Sequence, residues 1–434
     1  MRLLNLILCA ALPWLGFGAP TVSRQSSTQL DAKGIYFVSY DGLVNVESFQ
    51  QSGVVSYNGY QYAGWYTSTR YAILARRQLP SRSWSTLQLP HQLSRRKDPY
   101  CLGFPFHHDL LCEIGCEPGW EPRKFLVDGI PIRLGANYLG RPQHHQPVYI
   151  SPVFDHPDNK LQLVYRSAVS GNGVVQIAEY SGSSWSNLGG FTSATGTYTG
   201  PNGVASTARN LYINGVTYSS SGRLHTSGTW RENNAGVLCA SGGLANHDTI
   251  WLYSDDRGRT WYNNGGAKVA TTGSSTVSVS TSGIIVDTLD VNHGLVNQES
   301  QRPTRQTNHT LSSRMFPADS PNAYLRTRRI GHHTPVEIPF AIGSFGRSQI
   351  VMDASDNIYV VLPFVKIVTA SKSSGWTDWT LAYDGVAAGL GAFGEVTVDR
   401  PRVKSEGVLS VLYQVKSSGT TPSAVMVIDF KLNG

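Results

Sequence analysis

Four short stretches carry the residue types best suited to chemistry. In LVYRSAVSGNG (163–173), Arg166 follows Tyr165 near the end of a strand-like run, and a Ser-Gly-Asn-Gly turn brings Asn172 close behind. An arginine at a strand end can clamp a carboxylate with two parallel hydrogen bonds. It serves equally well as a surface cation in a turn. In GTWREN (228–233), Arg231 and Glu232 follow a tryptophan. Arg231 is a candidate for an acidic sugar or for a neighbouring carboxylate. LANHDTIW (244–251) places Asn246, His247 and Asp248 ahead of an apolar run. His247 can contact a substrate or carry a proton near neutral pH, or it can be a structural histidine bonded to a nearby turn. HGLVNQESQ (293–301) adds His293, Asn297 and Gln298, polar groups suited to lining a channel.

A fifth stretch, SDDRGRTW (254–261), concentrates charge but reads as a turn. An aspartate side chain can bond the backbone of its own turn, and Gly258 accepts a positive φ that other residues adopt only at a steric cost. Thr260 and Trp261 then begin the next strand. This is a complete Asp box, S-x-D-x-G-x-T-W, which specifies fold rather than reaction.

The elements that must position these residues are strands. The chain has 434 residues, 44 of them glycine, and only 15% are charged. Runs such as GIYFVSY, LQLVYRS, VVQIAEYSG, TIWLYSDD, NIYVVLPF and GVLSVLYQV alternate with turns rich in Gly, Ser, Asn and Asp. No helix longer than two turns is expected. A Ser/Gly turn followed by Trp recurs around Trp84, Trp185, Trp261 and Trp376. Such repeats predict an all-β fold, a β-propeller of seven blades with Asp-box turns, at about 60 residues per blade. Six blades or a β-sandwich are the weaker fits. Two segments break the pattern, 94–124 and 302–334. Long functional loops account for them, as does a gene model read in the wrong frame or across a missed splice site.

Residues 1–18 have the form of a secretory signal, with Arg2, an apolar core from Leu3 to Leu15 and small residues at Gly16 and Gly18. The core is too short for a membrane span. A secreted, extracellular protein with one domain over 19–434 is therefore expected, with no membrane partner. Cys9 leaves with the signal. Cys101, Cys112, Cys116 and Cys239 remain, as two disulfides of open connectivity or as free thiols, ahead of a metal site. Asn308-His309-Thr310 is an N-glycosylation acceptor. The net charge of +7 is scattered. With export, it favours an acidic polysaccharide over nucleic acid. A monomer is the expected form.

YRSAVSGNG, TWREN, NHDTIWLYSDDRGRTW and NQESQ together resemble the BNR-repeat family of secreted propellers. Within it the chain is most similar to the fungal rhamnose–glucuronate lyases of gum arabic and arabinogalactan type, relatives of the propeller ulvan lyases. The C-terminal runs from GRSQIVMDASDNIYVVLPF onward fit the same group. The resemblance implies β-elimination at a glucuronate, breaking the bond at C4. Arg166 would neutralise the carboxylate, because charge develops there as the C5 proton leaves. A histidine or tyrosine would take that proton and a donor would assist the leaving oxygen. Tyr149 lies near the family's acid/base tyrosine. The family's paired histidines fall where this chain has 94–124, and His107 and His108 are the histidines present there. The substrate contacts implied are Tyr165, Asn172, Arg231, Asn246, His247 and Gln298. No cofactor or catalytic metal is needed, and a structural calcium is compatible. The rival readings are a glycan-binding propeller without catalysis and a sialidase-like glycoside hydrolase.

Overall fold

The computed structural model describes residues 18–39, 42–48, 52–92, 125–127, 130–132, 148–153, 158, 161–169, 171–181, 184–239, 244–304, 308–314, 324–329, 336–342 and 346–434. Alternating strands dominate. Five four-stranded antiparallel sheets and one six-stranded sheet follow one another along the chain. The first runs from Val54–Tyr57 to Ser85–Gln92, and the second from Val148–Val153 to Trp185–Gly190. The third is the largest, from Arg209–Tyr218 to Lys268–Thr271 with Ile285–Asp287 added beside Asn246–Ser254. Two more lie within Gln301–Ile338 and Gln349–Asp384.

The last sheet closes the ring. Thr397–Val398, Val408–Gln414 and Ser423–Asn433 supply three strands, and the N-terminal strand Thr21–Gly34 supplies the outermost. Its pairing runs from Thr21 opposite Asn433 to Gly34 opposite Ser423. The ends of the chain thus share one sheet, and the backbone groups of Ser423–Asn433 are paired on both sides.

The sheets form an all-β propeller, but the described residues do not amount to seven blades. Dividing the length evenly assumed equal units. The third sheet extends from Arg209 to Asp287, while the fifth closes within Gln349–Asp384. Between the first and second sheets the described residues give only a pair of strands, Phe125–Val127 and Ile130–Ile132. The single α-helix described, Arg400–Glu406, has seven residues, within the two-turn limit read from the sequence.

The sheets pack through apolar faces. Val164, Val175, Ile177 and Phe191 of the second sheet and its exit meet Leu211, Trp230, Ile250, Leu252 and Trp261 of the third. Full burial of such side chains is worth roughly 1.5–3 kcal/mol each. Trp261 is fully buried and stacks on Phe191 at 4.4 Å.

The Asp box is a turn, as its residue order predicts. Asp256 Oδ1 accepts from the backbone N–H of Thr260 (2.7 Å) and Arg259 (3.1 Å) and from Ser254 Oγ (2.8 Å). Ser254 Oγ in turn accepts from Gly258 N (2.8 Å). Gly258 has φ +82°, and a Cβ there would meet Ile177 Cδ1 at 2.7 Å. Glycine is therefore required both by backbone conformation and by the close approach of the neighbouring sheet.

Strand direction separates this turn from the candidate chemistry. Innermost strands begin, and second strands finish, at one end of the propeller, since neighbours are antiparallel. That end receives Arg166, the turn at 169–172, Arg231 and Asn246. The Asp box follows Ser254, at the far end of Asn246–Ser254. Nine residues at ~3.3 Å each put the two ends on the order of 25 Å apart.

Candidate functional site

Arg166 lies near the end of the second strand of the second sheet, and the turn beyond it packs on the third. Gly171 has φ +77°, and a Cβ there would meet Asn233 Oδ1 at 2.7 Å. Asn210 Nδ2 donates to Val169 O (3.3 Å). These contacts hold the strand end against the innermost strand of the third sheet. The Arg166 side chain is buried, at 4% exposure. Its guanidinium lies over the Tyr212 ring, 4.7 Å from the centroid. Arg231 approaches the same ring at 5.8 Å. Tyr212 is thus approached by two cations, and its ring offsets part of the cost of gathering positive charge there.

A small pocket opens at this point, lined by Tyr165, Arg166, Tyr212 and Gln298 above an aliphatic floor that includes Val164, Val175, Leu211 and Ile213. Among the described residues no acidic side chain lines it. Tyr165 O–H donates to Gln176 Oε1 (3.2 Å). Burial pushes the Tyr165 phenol up to about 12, so it is a proton donor rather than a base near neutral pH. Gln298 is 3% exposed and adopts φ +59°.

The other predicted residues separate into rim, wall and undescribed positions. Asn172 is exposed at the turn and Arg231 is half-buried. Asn246 is fully buried, donating from Nδ2 to Leu295 O (2.5 Å). His247 is fully buried as well. Its Nε2 lies 3.0 Å from Glu232 Oε1, its Nδ1 lies 3.0 Å from Asp248 Oδ2, and its ring stacks on Tyr198 at 3.8 Å. Arg209 completes the group with two bonds to Glu232, at 2.7 and 3.0 Å. Burial alone would lower the His247 pKa, but Asp248 and Glu232 outweigh it and hold the imidazolium above its usual range. His247 is therefore walled off, with both ring nitrogens engaged, and lies opposite Trp230, one register position from the Arg231–Asn246 pair. His293 pairs with Asp290 (2.9 Å).

Tyr149 lies on the innermost strand of the second sheet. The pairing there shifts between Val148 opposite Arg166 and Ile150 opposite Tyr165. Tyr149 is the extra residue of a bulge beside Arg166, a device that re-aims a strand next to a site. His107 and His108 lie outside the described residues, as do Cys101, Cys112 and Cys116. Cys239 is exposed, and its N–H donates to Asn292 Oδ1 (3.1 Å). Among the described residues no group of three or more His, Cys, Asp or Glu side chains could hold a metal ion.

Tyr212, Asn210, Arg347 and Glu395 were not singled out by sequence. Tyr212 sits in the ordinary strand RNLYINGVTY, and only ring closure brings it under Arg166. The alternation in that run shows a buried face but not the cation that covers it.

A model of the BNR repeat-containing family matches residues 60–102 and 135–336. No curated protein matches the chain. Among solved structures, a polysaccharide lyase superposes with a TM-score of 0.62 at 14% identity, covering 94% of this chain and 100% of that one. An ulvan lyase of the PL25 family, solved alone, superposes with a TM-score of 0.54 at 12% identity, covering 92% of this chain and 95% of that one. The same enzyme bound to glucuronate 1-4-linked to 3-sulfated rhamnose gives 0.55 at 12%, with the same coverage. At these identities the likeness establishes the fold.

Proposed function

We propose, from the premise that this chain belongs to the BNR repeat-containing family, that it is a secreted lyase cleaving glucuronate-containing polysaccharide by β-elimination. The observation that carries the reading is the buried Arg166 guanidinium over Tyr212, in a pocket at the end of the propeller opposite the Asp box. A uronate carboxylate in that pocket would meet a planar donor able to make two bonds at once. Removing the C5 proton moves negative charge onto the carboxylate, so Arg166 would bind the transition state more tightly than the ground state.

The remaining roles follow from placement. Tyr165 borders the pocket, but its ring packs with Leu163, Ala178, Tyr180 and Trp185 on the strand face away from Arg166 and its O–H is given to Gln176, so the proton for the leaving C4 oxygen is not assigned to it. Tyr149, at the bulge beside Arg166, is our assignment for a group that exchanges the C5 proton, alone or with His107 and His108. Asn172, Arg231 and Gln298 would contact the sugar chain. Asn246 lies opposite Arg231 on the next strand, with His247 beside it. The substrate would be an acidic glycan such as a rhamnosyl-glucuronate, bound by a monomer and requiring no cofactor.

A second reading, a glycan-binding propeller without catalysis, has one observation in its favour. Of the histidines whose side chains are described, none lines the pocket. A sialidase-like glycoside hydrolase is the third reading; it needs a paired carboxylate, or a Tyr/Glu nucleophile with an arginine cluster, and among the described lining residues no pair of carboxylates is present. Incubation with gum arabic and with ulvan decides among the three. A lyase generates an unsaturated uronate with its ultraviolet absorbance. A hydrolase generates reducing ends without it, and a binding protein retards the glycan and cleaves nothing.

A further inference from the structure

Gln298 enters the pocket from a backbone position that a residue with a Cβ adopts only at a steric cost, φ +59°. Something must hold it there, and its two neighbours show what. Asn297 is gripped by Arg347, whose Nε donates to Asn297 O (2.8 Å) and whose Nη2 donates to Asn297 Oδ1 (3.3 Å). Glu299 Oε2 accepts from Ser348 N (3.0 Å). Both tethers come from the start of the sheet at Gln349–Asp384. Arg347 is itself fixed by Glu395, whose Oε1 accepts from Arg347 N (2.8 Å) and Nη1 (3.0 Å). The other oxygen, Oε2, accepts from Ser48 N (2.7 Å) and Ser48 Oγ (2.8 Å).

These residues precede the innermost strands of four successive sheets, so the bonds run from sheet to sheet around the ring. They run from Ser48 at the first sheet through Glu395 at the last to Arg347 and Asn297, and on to Asn246 (3.5 Å) in the third. Glu395 is 1% exposed and Arg347 is 9% exposed. Among the described residues no hydrogen bond ties the Gln298 amide, which is left to face the pocket beside Arg166.

We propose that Arg347, locked by Glu395, is a positioning residue that holds the Gln298 amide in the pocket, where it bonds the sugar whose carboxylate Arg166 receives. The inference rests on the lyase reading above. Lysine at 347 keeps the charge but loses the two-point grip on Asn297, so Gln298 relaxes away from its strained position.

The test is a double-mutant cycle with Arg347→Lys and Gln298→Ala, read as KM and kcat for elimination and as Kd for gum arabic by calorimetry. Each single variant raises KM and Kd about tenfold, the size of one lost hydrogen bond, with kcat little changed. The double variant is no worse than Gln298→Ala alone, because Arg347 acts through Gln298. A merely structural Arg347 gives instead a lower melting temperature with KM unaltered, or effects that add, and either overturns the proposal. If Arg347→Lys does not fold, Glu395→Gln, which keeps an acceptor for Arg347 and Ser48, shifts KM the same way by less; an unchanged KM refutes the proposal. Should Arg166→Lys lose turnover while the Arg347 variants keep wild-type KM, the inference falls and the lyase reading stands. Should wild type neither bind nor cleave any glucuronate glycan, both fall.

Discussion

Replacing Asp256 by alanine separates turn from active site most cleanly. The substitution removes one oxygen that accepts three hydrogen bonds, two of them from backbone N–H groups of Thr260 and Arg259. At roughly 0.5–1.5 kcal/mol per bond, the loss is about 1.5–4.5 kcal/mol. For a chain of this size that lowers the melting temperature by roughly 2–5 °C. Asp256→Asn keeps a neutral acceptor and loses about half as much. Burial alone would raise the Asp256 pKa, but the bonds from Thr260, Ser254 and Arg259 hold it below the usual carboxylate range. A carboxylate with a depressed folded pKa stabilises above its unfolded value, near 3.8, and the contribution disappears as pH falls through the folded value. Wild type and Asp256→Ala therefore converge in melting temperature in strong acid. Calorimetry across pH measures this, with glycan binding taken on the same samples. An unchanged melting temperature at neutral pH would refute the turn's structural role. Lost binding per folded molecule would refute its separation from the site.

The buried group at His247 gives a second pH dependence of opposite sign. Its raised pKa means that its contribution is complete below the unfolded value, near 6.5, and is lost as pH rises through the folded one. Glu232, held low by His247 and Arg209 against the effect of burial, loses its contribution as pH falls. His247→Phe should flatten the alkaline limb of the melting temperature against pH, and a limb identical to wild type would contradict the assignment. Tyr212→Leu removes the ring that both Arg166 and Arg231 approach. Glycan affinity should fall about threefold to thirtyfold, in line with a partly buried cation–π contact, and unchanged affinity in calorimetry argues against the shared ring. If residues 1–18 act as a secretory signal, N-terminal sequencing of exported protein should read Ala19. Recovery of Met1 from the medium would overturn export by cleavage.

Local chemistry was legible in the sequence, and assembly across sheets was not. Trp84, Trp185 and Trp261 each stand at the head of the fourth strand of a sheet, and Trp376 stands just before Trp379, which heads another. The recurring Ser/Gly-turn-Trp pattern therefore marked the fourth strand of four repeats. The Asp box was readable because each bond in it spans four residues or fewer. Arg166 stood out as a strand-end arginine before a Gly turn, a pattern that fits a surface cation equally well; its burial against Tyr212 is what the sequence did not show. Tyr212, Arg347 and Glu395 carry no such mark: their partners lie in other sheets, brought together only when the ring closes. The described residues give fewer than seven blades, and equal division takes no account of the extra strands in the third sheet. His247 resembled a channel residue in sequence, since its pattern does not show that Glu232 and Asp248 enclose both nitrogens.

The central claim, that Arg166 receives the carboxylate of a uronate undergoing elimination, is tested by one comparison. Wild type and Arg166→Lys are brought to equal folded concentration, checked by calorimetry, and given the same glucuronate glycan while unsaturated uronate is followed by ultraviolet absorbance. The account predicts steady formation of unsaturated product by wild type and a loss on the order of a hundredfold or more in the variant, as for removal of one such donor, with melting temperatures alike. Equal rates for the two proteins, or cleavage that yields reducing ends without the unsaturated product, would contradict it.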